Sequence, residues 1–397
     1  MRLESIQDFL ATPMMRELLR MTGYALAILT VMLLFVLIMI LVLRKVLGDI
    51  QNRIGPNRVG PRGWGQTAAD ALKLLLKEDV IPTLADRAVF IIAPALVFVP
   101  AYLVYVVIPF GPGVVAADLN IGVLFISAIT SVAVIGFIAA GWASNNKYSL
   151  LGGMRSAAQI VSYEVPLVLA MLAPVALVGS LRLSDIVHAQ ETVWLVFITP
   201  IMALLFFVAG LAEINITPFD MVEAESELVA GFNTEYSGMK FALFFLAEFA
   251  NTFTLAMIAT CLYLGGWTIP FWTGANEWMA SAGLLGKLVA MVVILGKAWL
   301  IVWFTVVVRG TLPRIRVDQL MEMGWKAMIP VALLGLLLNA LFVSLPISTT
   351  AQMWGLAVVN WVILLGVVFL GSRKKVLTGT DWAKEVGNAA VPERSRL

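Results

Sequence analysis

Long uncharged stretches alternate along this chain with short polar ones rich in Gly and Pro. The first uncharged run lies between Arg20 and Arg44, and its 23 residues are enough to cross a bilayer. Repeating the reading along the chain predicts nine transmembrane helices, at about 22–43, 88–109, 119–143, 162–181, 193–212, 241–266, 283–308, 327–345 and 353–371. Turn chemistry separates several of them: "IPFGPG" at 108–113, "GGWTIP" at 265–270 and "SLPISTT" at 344–350. Residues 1–20 carry Arg2, Glu4, Asp8, Arg16, Glu17 and Arg20, without the short apolar core and small-residue cleavage site of a signal peptide. The first run is therefore read as a retained span. The expected fold is an all-α polytopic membrane helix bundle: one transmembrane domain over 1–371 and a tail over 372–397. No internal repeat is visible, which weakens an inverted-repeat transporter.

Charge then orients the bundle. The loops 44–87, 144–161, 213–240 and 309–326, together with the tail, hold 21 of the 27 Lys and Arg. The N-terminus and the loops on the other side hold four. The positive-inside rule places the N-terminus outside and the C-terminus in the cytoplasm. All the long charged loops then face the cytoplasm, where soluble partners must dock.

Composition narrows the chemistry further. With 60% hydrophobic and 13% charged residues, the chain is not an ordinary soluble domain. It has one cysteine, Cys261, and one histidine, His188, too few to ligate an iron–sulfur cluster, a structural zinc or a bis-His haem. Any redox chemistry must use a cofactor or substrate held with other subunits. The net charge of +2 gives nucleic acid no footing.

The first cytoplasmic loop begins "RKVLGDIQNRIGPNRVGPRGWGQ", with Arg44, Lys45, Arg53, Arg58 and Arg62 among Gly and Pro. A basic loop of this kind can bind anionic lipid. The turns at Gly55-Pro56 and Gly60-Pro61 argue equally for a shaped, docked loop. In the following "WGQTAADALKLLLKED", Trp64, Ala68, Leu72, Leu75 and Leu76 share one helical face, and Asp70, Lys73 and Lys77 another. This predicts an amphipathic helix in the membrane interface, as an anchor or as the wall of a site for an amphiphilic ligand.

Four ionisable groups sit at membrane depth: Glu164 in "SYEVP", Glu213 in "LAEINITPFD", Glu248 in "FFLAEFAN" and Lys297 in "ILGKAWL". Their cost in hydrocarbon marks them as functional candidates, with a structural pair such as Glu248–Lys297 as the plain alternative. Just ahead of the sixth span, Asp220, Glu223, Glu225, Glu227 and Glu235 gather with only Lys240 among them. Glu223 and Glu227 share a face if residues 220–229 are helical. Acids so close, with so few cations, cannot all ionise cheaply, so some are expected to take up and release protons. Pro218 breaks the helix before the cluster, and Gly231 and Gly238 are expected to make the loop after it pliable.

The stretches "QNRIGPNRVGP", "ADALKLLLKEDVIP", "AGWASNNKYSLLGGMRSAAQIVSYEVPL", "EAESELVAGFNTEYSGMKFALFF" and "LPRIRVDQLMEMGWK" occur in order across residues 20–345. Together they closely resemble the H-subunit family of bacterial respiratory complex I, the NADH dehydrogenase subunit 1 family. The resemblance implies a membrane subunit of the proton-pumping NADH:quinone oxidoreductase in the bacterial inner (plasma) membrane. Such a subunit sits between the other membrane subunits and the peripheral arm. It forms most of the quinone tunnel and starts the acidic path towards the pumps. Quinone is then the substrate, no redox cofactor is expected on this chain, and flavin and iron–sulfur clusters belong to partner subunits. Residue by residue, the resemblance assigns Arg44, Arg53, Asp70, Phe232, Arg309, Arg314 and Arg316 to the quinone site. It assigns Glu164, Glu213, Asp220, Glu223, Glu225, Glu227, Glu235 and Glu248 to proton coupling, to which Lys297 is added for its depth.

Two departures stand out against that pattern. Leu43 replaces the acid usual before Arg44, and Ile216 replaces an arginine usual beside the acid cluster. Two other readings stay open from the residues alone: the homologous membrane subunit of an energy-converting hydrogenase or ferredoxin-linked complex, and a stand-alone ion transporter.

Overall fold

The structure, a computed structural model, describes residues 13–221, 229–346 and 348–373. Among them every regular element is helical, apart from one isolated bridge between Gly111 and Val114. Hydrocarbon offers the backbone no hydrogen bonds, so each crossing segment must satisfy its own. Seven helical stretches are long and apolar enough to cross a membrane, and two shorter apolar helices, Pro200–Glu213 and Ala351–Gly366, stand where the fifth and ninth spans are expected. The chain is a polytopic membrane helix bundle.

In chain order the helices are α1 (Pro13–Ile50), α2 (Gln66–Leu76), α3 (Arg87–Leu103), α4 (Gly122–Thr130), α5 (Val132–Ala143), α6 (Lys147–Val178) and α7 (Leu183–Ala189). They continue with α8 (Pro200–Glu213), α9 (Gly238–Tyr263), α10 (Thr273–Ser281), α11 (Gly283–Thr311), α12 (Val317–Glu322), α13 (Ile329–Ser344) and α14 (Thr349–Arg373). The most enclosed is α9, which packs against α1, α3, α8 and α11. Its buried positions include Ala247, Ala250, Ala256 and Ala259. Small residues let helices approach closely where lipid supplies no hydrophobic drive between them. Beside it, α6 packs against α5, α8 and α13.

Several boundaries differ from the hydrophobic pattern. The long α6 begins at Lys147, inside the stretch expected to be a loop over 144–161. Asn146 caps it, its side chain accepting from the Tyr148 N–H at 3.0 Å. The first turns are polar or small because they pack against protein: Ser149, Gly152, Gly153, Ser156 and Gln159 are all buried. The basic loop expected over 309–326 shrinks to the linker 312–316, since α12 runs through a π-helical segment, Met323–Met328, into α13. Ser131 divides the third span into α4 and α5, and Thr199 separates a single helical turn, Leu195–Ile198, from α8.

A close backbone approach joins α6 to the loop ahead of α9. A Cβ on Gly152 would lie 2.6 Å from Gly231 Cα and 2.7 Å from Phe232 N. Gly231 has φ 55°, a left-handed conformation that suits glycine. Backbone on both sides leaves no room to give. Gly152→Ala is therefore expected to cost about 1–3 kcal/mol, read as a lower thermal midpoint of the detergent-solubilised complex. Gly23→Ala, with nothing within 4 Å of the new Cβ, should leave that midpoint unchanged.

Candidate functional site

The helix bundle encloses a narrow cavity of about 90 Å³ between α3, α4, α5, α6, α8 and α9. That is room for several waters. Most of its wall is apolar, including Phe137, Phe206, Phe232 and Phe244. Three carboxyls face into it: Glu213 at the end of α8, Asp220 in the loop that follows, and Glu248 about three turns into α9. Asn215, Asn233, Asn251 and Thr254 add neutral polar groups. Glu164, on α6, lies within electrostatic range of Glu213.

Two arginines reach these acids from one short segment. Arg309, in the last turn of α11, donates to Glu248 at 2.9 Å. That position also suits a cation, because the helix dipole is negative there. Arg314, in the linker 312–316, donates to Asp220 at 3.0 Å. The linker is sewn to the loop as well, with the Ile315 N–H donating to Pro218 O at 3.1 Å. Asp220 is 5% exposed, so removing its cation is costly. Glu213 has no ion-pair or hydrogen-bond partner among the described residues.

The loop flanking this site is braced, which corrects the expectation that Gly231 and Gly238 make it pliable. The Ser149 hydroxyl donates to Phe232 O at 3.2 Å. Asn146 Nδ2 donates to Glu235 at 2.7 Å. Tyr236 stacks on Phe90 with centroids 4.0 Å apart, and Phe232 meets Phe137 and Phe244 edge-on. Both glycines have positive φ, and each meets backbone closely: Gly231 meets Gly152, and a Cβ on Gly238 would lie 3.3 Å from Lys77 O. They allow the backbones to pack closely there.

The remaining sequence-predicted residues fall elsewhere. Arg44 pairs with Asp70 at 2.5 Å, with Lys73 at 3.8 Å from the same carboxyl, and this joins the end of α1 to α2. In α2, Trp64 before the helix and Leu72, Leu75 and Leu76 within it are all exposed, as expected of a helix lying in the interface. Arg53 bonds Gln51 and lines an open basic groove of about 710 Å³ with Lys45 and Arg62, separate from the acidic cavity. Arg316 precedes α12, where its backbone N–H meets Gln319. Glu223, Glu225 and Glu227 lie outside the described residues.

Lys297 is also apart. Its ammonium donates to the carbonyls of Leu264, Gly266 and Thr268 at 2.6–2.8 Å and sits 4.5 Å from the Trp194 ring centroid. It caps the C-terminal end of α9. The anticipated Glu248–Lys297 pair is not formed. Glu248 meets Arg309, 12 residues further along α11, or about 18 Å at 1.5 Å per residue. Gln159, Asn215, Asn233 and Asn251 also lie at or beside the cavity, and the only sequence signal for Gln159 is its place in "SAAQIVSYE", five residues before Glu164.

Proteins of known family resemble the chain over most of its length. The NADH dehydrogenase family pattern matches residues 24–340. The NADH-quinone oxidoreductase H subunit of Geobacillus sp. (strain WCH70) is 49% identical over 337 residues, 83% of this chain and 96% of that protein. Those of Geobacillus kaustophilus (strain HTA426) and Bacillus thuringiensis (strain Al Hakam) are 47% and 49% identical over 334 and 320 residues. They cover 83% and 80% of this chain, and 96% and 92% of their own lengths.

The Asp220–Arg314 contact generates a double-mutant test. Arg314→Gln should destabilise the assembled protein by about 1–3 kcal/mol, because it withdraws a charged partner from a buried acid. Adding Asp220→Asn should recover part of the loss, with a coupling energy of about 0.5–3 kcal/mol. Thermal midpoints of the four proteins give the cycle; additive effects would show that the contact contributes nothing.

Proposed function

The chain belongs to the NADH dehydrogenase family, as an H subunit of NADH-quinone oxidoreductase, and from that premise we propose that it walls the quinone tunnel and couples quinone reduction to proton translocation through its buried acids. Membership sets aside the hydrogenase-type and stand-alone transporter readings. The observation that carries the proposal is the pair of contacts Arg309–Glu248 and Arg314–Asp220. They connect the basic segment assigned to the quinone site with the acids assigned to coupling.

Quinone has a polar head and a long apolar tail, so it needs a route with an apolar mouth and a polar end. The exposed apolar face of α2 suits the mouth, at the membrane interface. Arg44, Asp70 and Arg53 suit the polar end on the cytoplasmic side. Electrons arrive from flavin and iron–sulfur clusters on peripheral subunits, since this chain offers one cysteine and one histidine. The Lys/Arg asymmetry places the N-terminus outside and the C-terminus in the cytoplasm of a bacterial plasma membrane.

Reducing the quinone and supplying its protons changes the local charge by about one or two units. At an effective dielectric near 20, one unit acting over about 8 Å is worth ~2 kcal/mol. A change of that size is enough to loosen an arginine from its carboxyl. Glu164 extends the acidic series along α6. The coupling step on this chain is thus a change in the charge balance between Arg309 and Arg314 and the cavity acids that they face.

Glu213→Gln and Glu248→Gln test it in the complete, reconstituted complex. Each is expected to lower NADH:quinone turnover about tenfold or more and to diminish proton pumping. NADH oxidation by an artificial acceptor at the peripheral arm should be unchanged. Normal quinone turnover and normal pumping in both variants would sink the coupling role of these acids.

A further inference from the structure

One buried side chain touches the backbone at both acids of the α8 end of the cavity. Gln159, on α6, is 1% exposed. Its Nε2 donates to Ala212 O and to Phe219 O, each at 2.7 Å. Ala212 directly precedes Glu213, and Phe219 directly precedes Asp220. The two hydrogens of one amide thus fix the carbonyls beside the two cavity acids.

The arrangement is tightly specified. Each carbonyl also accepts a backbone N–H, Ala212 O from Asn215 at 3.2 Å and Phe219 O from Met221 at 3.0 Å. Both acceptors are therefore filled, and the amide cannot rotate to an equivalent partner. One turn earlier on the same helix, Ser156 Oγ accepts from Asn215 Nδ2 at 3.3 Å. The amide's own Oε1 is buried with no partner among the described residues. An amide left half-satisfied is an expensive way to hold two helices that already pack on each other, and a leucine would pack there more cheaply.

We propose that Gln159 is a positioning residue for proton coupling, holding Glu213 and Asp220 at a fixed separation across the cavity. This rests on the coupling role given above to the cavity acids. A carboxyl shifted by an ångström loses its proton partner, and such displacements can cost orders of magnitude in rate. Gln159 acts through the two acids and needs no contact with quinone.

The test uses the assembled complex in proteoliposomes and reads protons moved per quinone reduced. A structural defect alone lowers the amount of active complex and leaves that ratio unchanged. Gln159→Met keeps the length of the side chain and removes the donor. The ratio is expected to fall at least about twofold. Gln159→Asn keeps the donor but is one methylene short of bridging both carbonyls, and an intermediate ratio is expected. Gln190→Met is the matched control. Gln190 is equally buried at the far end of α9, where its Nε2 bonds Ile186 O, Cys261 O and Leu262 O. Its replacement should lower yield or stability with the ratio unchanged.

An unchanged ratio in Gln159→Met or Gln159→Asn overturns the proposal, as does an equal fall in Gln190→Met. Failure of both Gln159 variants to assemble makes it a folding residue and overturns the proposal too. If Glu213→Gln and Glu248→Gln lower the ratio and the Gln159 variants do not, this inference alone fails. If those acid variants leave the ratio intact, the coupling reading fails with it.

Discussion

A carboxylate carried into a hydrocarbon-facing bundle is costly unless it meets a cation or a hydrogen-bond donor there, and at Glu248 and Asp220 the fold supplies one. Glu248 and Asp220 draw their cations from residues 309 and 314, which sit at one end of the bundle between α11 and α12. That places the ends of α8, α9 and α11 at one level. The short α8 ends at Glu213, the loop meets α6 at Gln159, and the linker 312–316 bonds to the loop at Pro218. Of the two ion pairs, the one at Asp220 brings the more deeply buried carboxyl to its cation.

The far end of the same helix pair obeys the same rule with the signs reversed. Three carbonyls at the end of α9 converge on Lys297, whose ammonium also faces the Trp194 ring. A lysine that stands out by its depth is thus held by backbone carbonyls and not by an acid of the cavity. The antiparallel register of α9 and α11 decides both outcomes at once. It sets Arg309 opposite Glu248 and Lys297 opposite Leu264, so each ion is neutralised by what lies across from it. Gln190 completes that end by bonding the Cys261 and Leu262 carbonyls and accepting from Leu195 and Gly265.

Hydrophobic runs revealed the nine apolar segments because lipid leaves the backbone no alternative to a helix. They misplaced helix ends wherever protein takes the place of solvent. Ser149, Gly152, Ser156 and Gln159 look like loop residues, yet they form the buried start of α6. The cavity acids were visible because charge at depth is rare. Their partners were not, since pairing depends on helix register and no single-chain pattern carries register between neighbours. Gly231 and Gly238 illustrate the same gap. Glycine is compatible with a hinge or with close packing, and only the facing backbone of Gly152 and Lys77 decides between them.

The substitution at residue 216 shows how charge balance follows from packing. Ile216, where the family resemblance has an arginine, is 1% exposed within the main apolar core. It fills space beside the acids and brings no charge. Asp220 takes its cation from Arg314, which belongs to a different element. A cation on the same loop would move with its acid and preserve the balance during any rearrangement. A cation on the linker does not. Displacing residues 312–316 therefore changes the electrostatics of the cavity directly, by withdrawing Arg314 from Asp220 and releasing the Ile315–Pro218 bond together. In this chain the cation that faces Asp220 therefore belongs to the linker, and the charge balance of the cavity depends on how the linker packs on the loop.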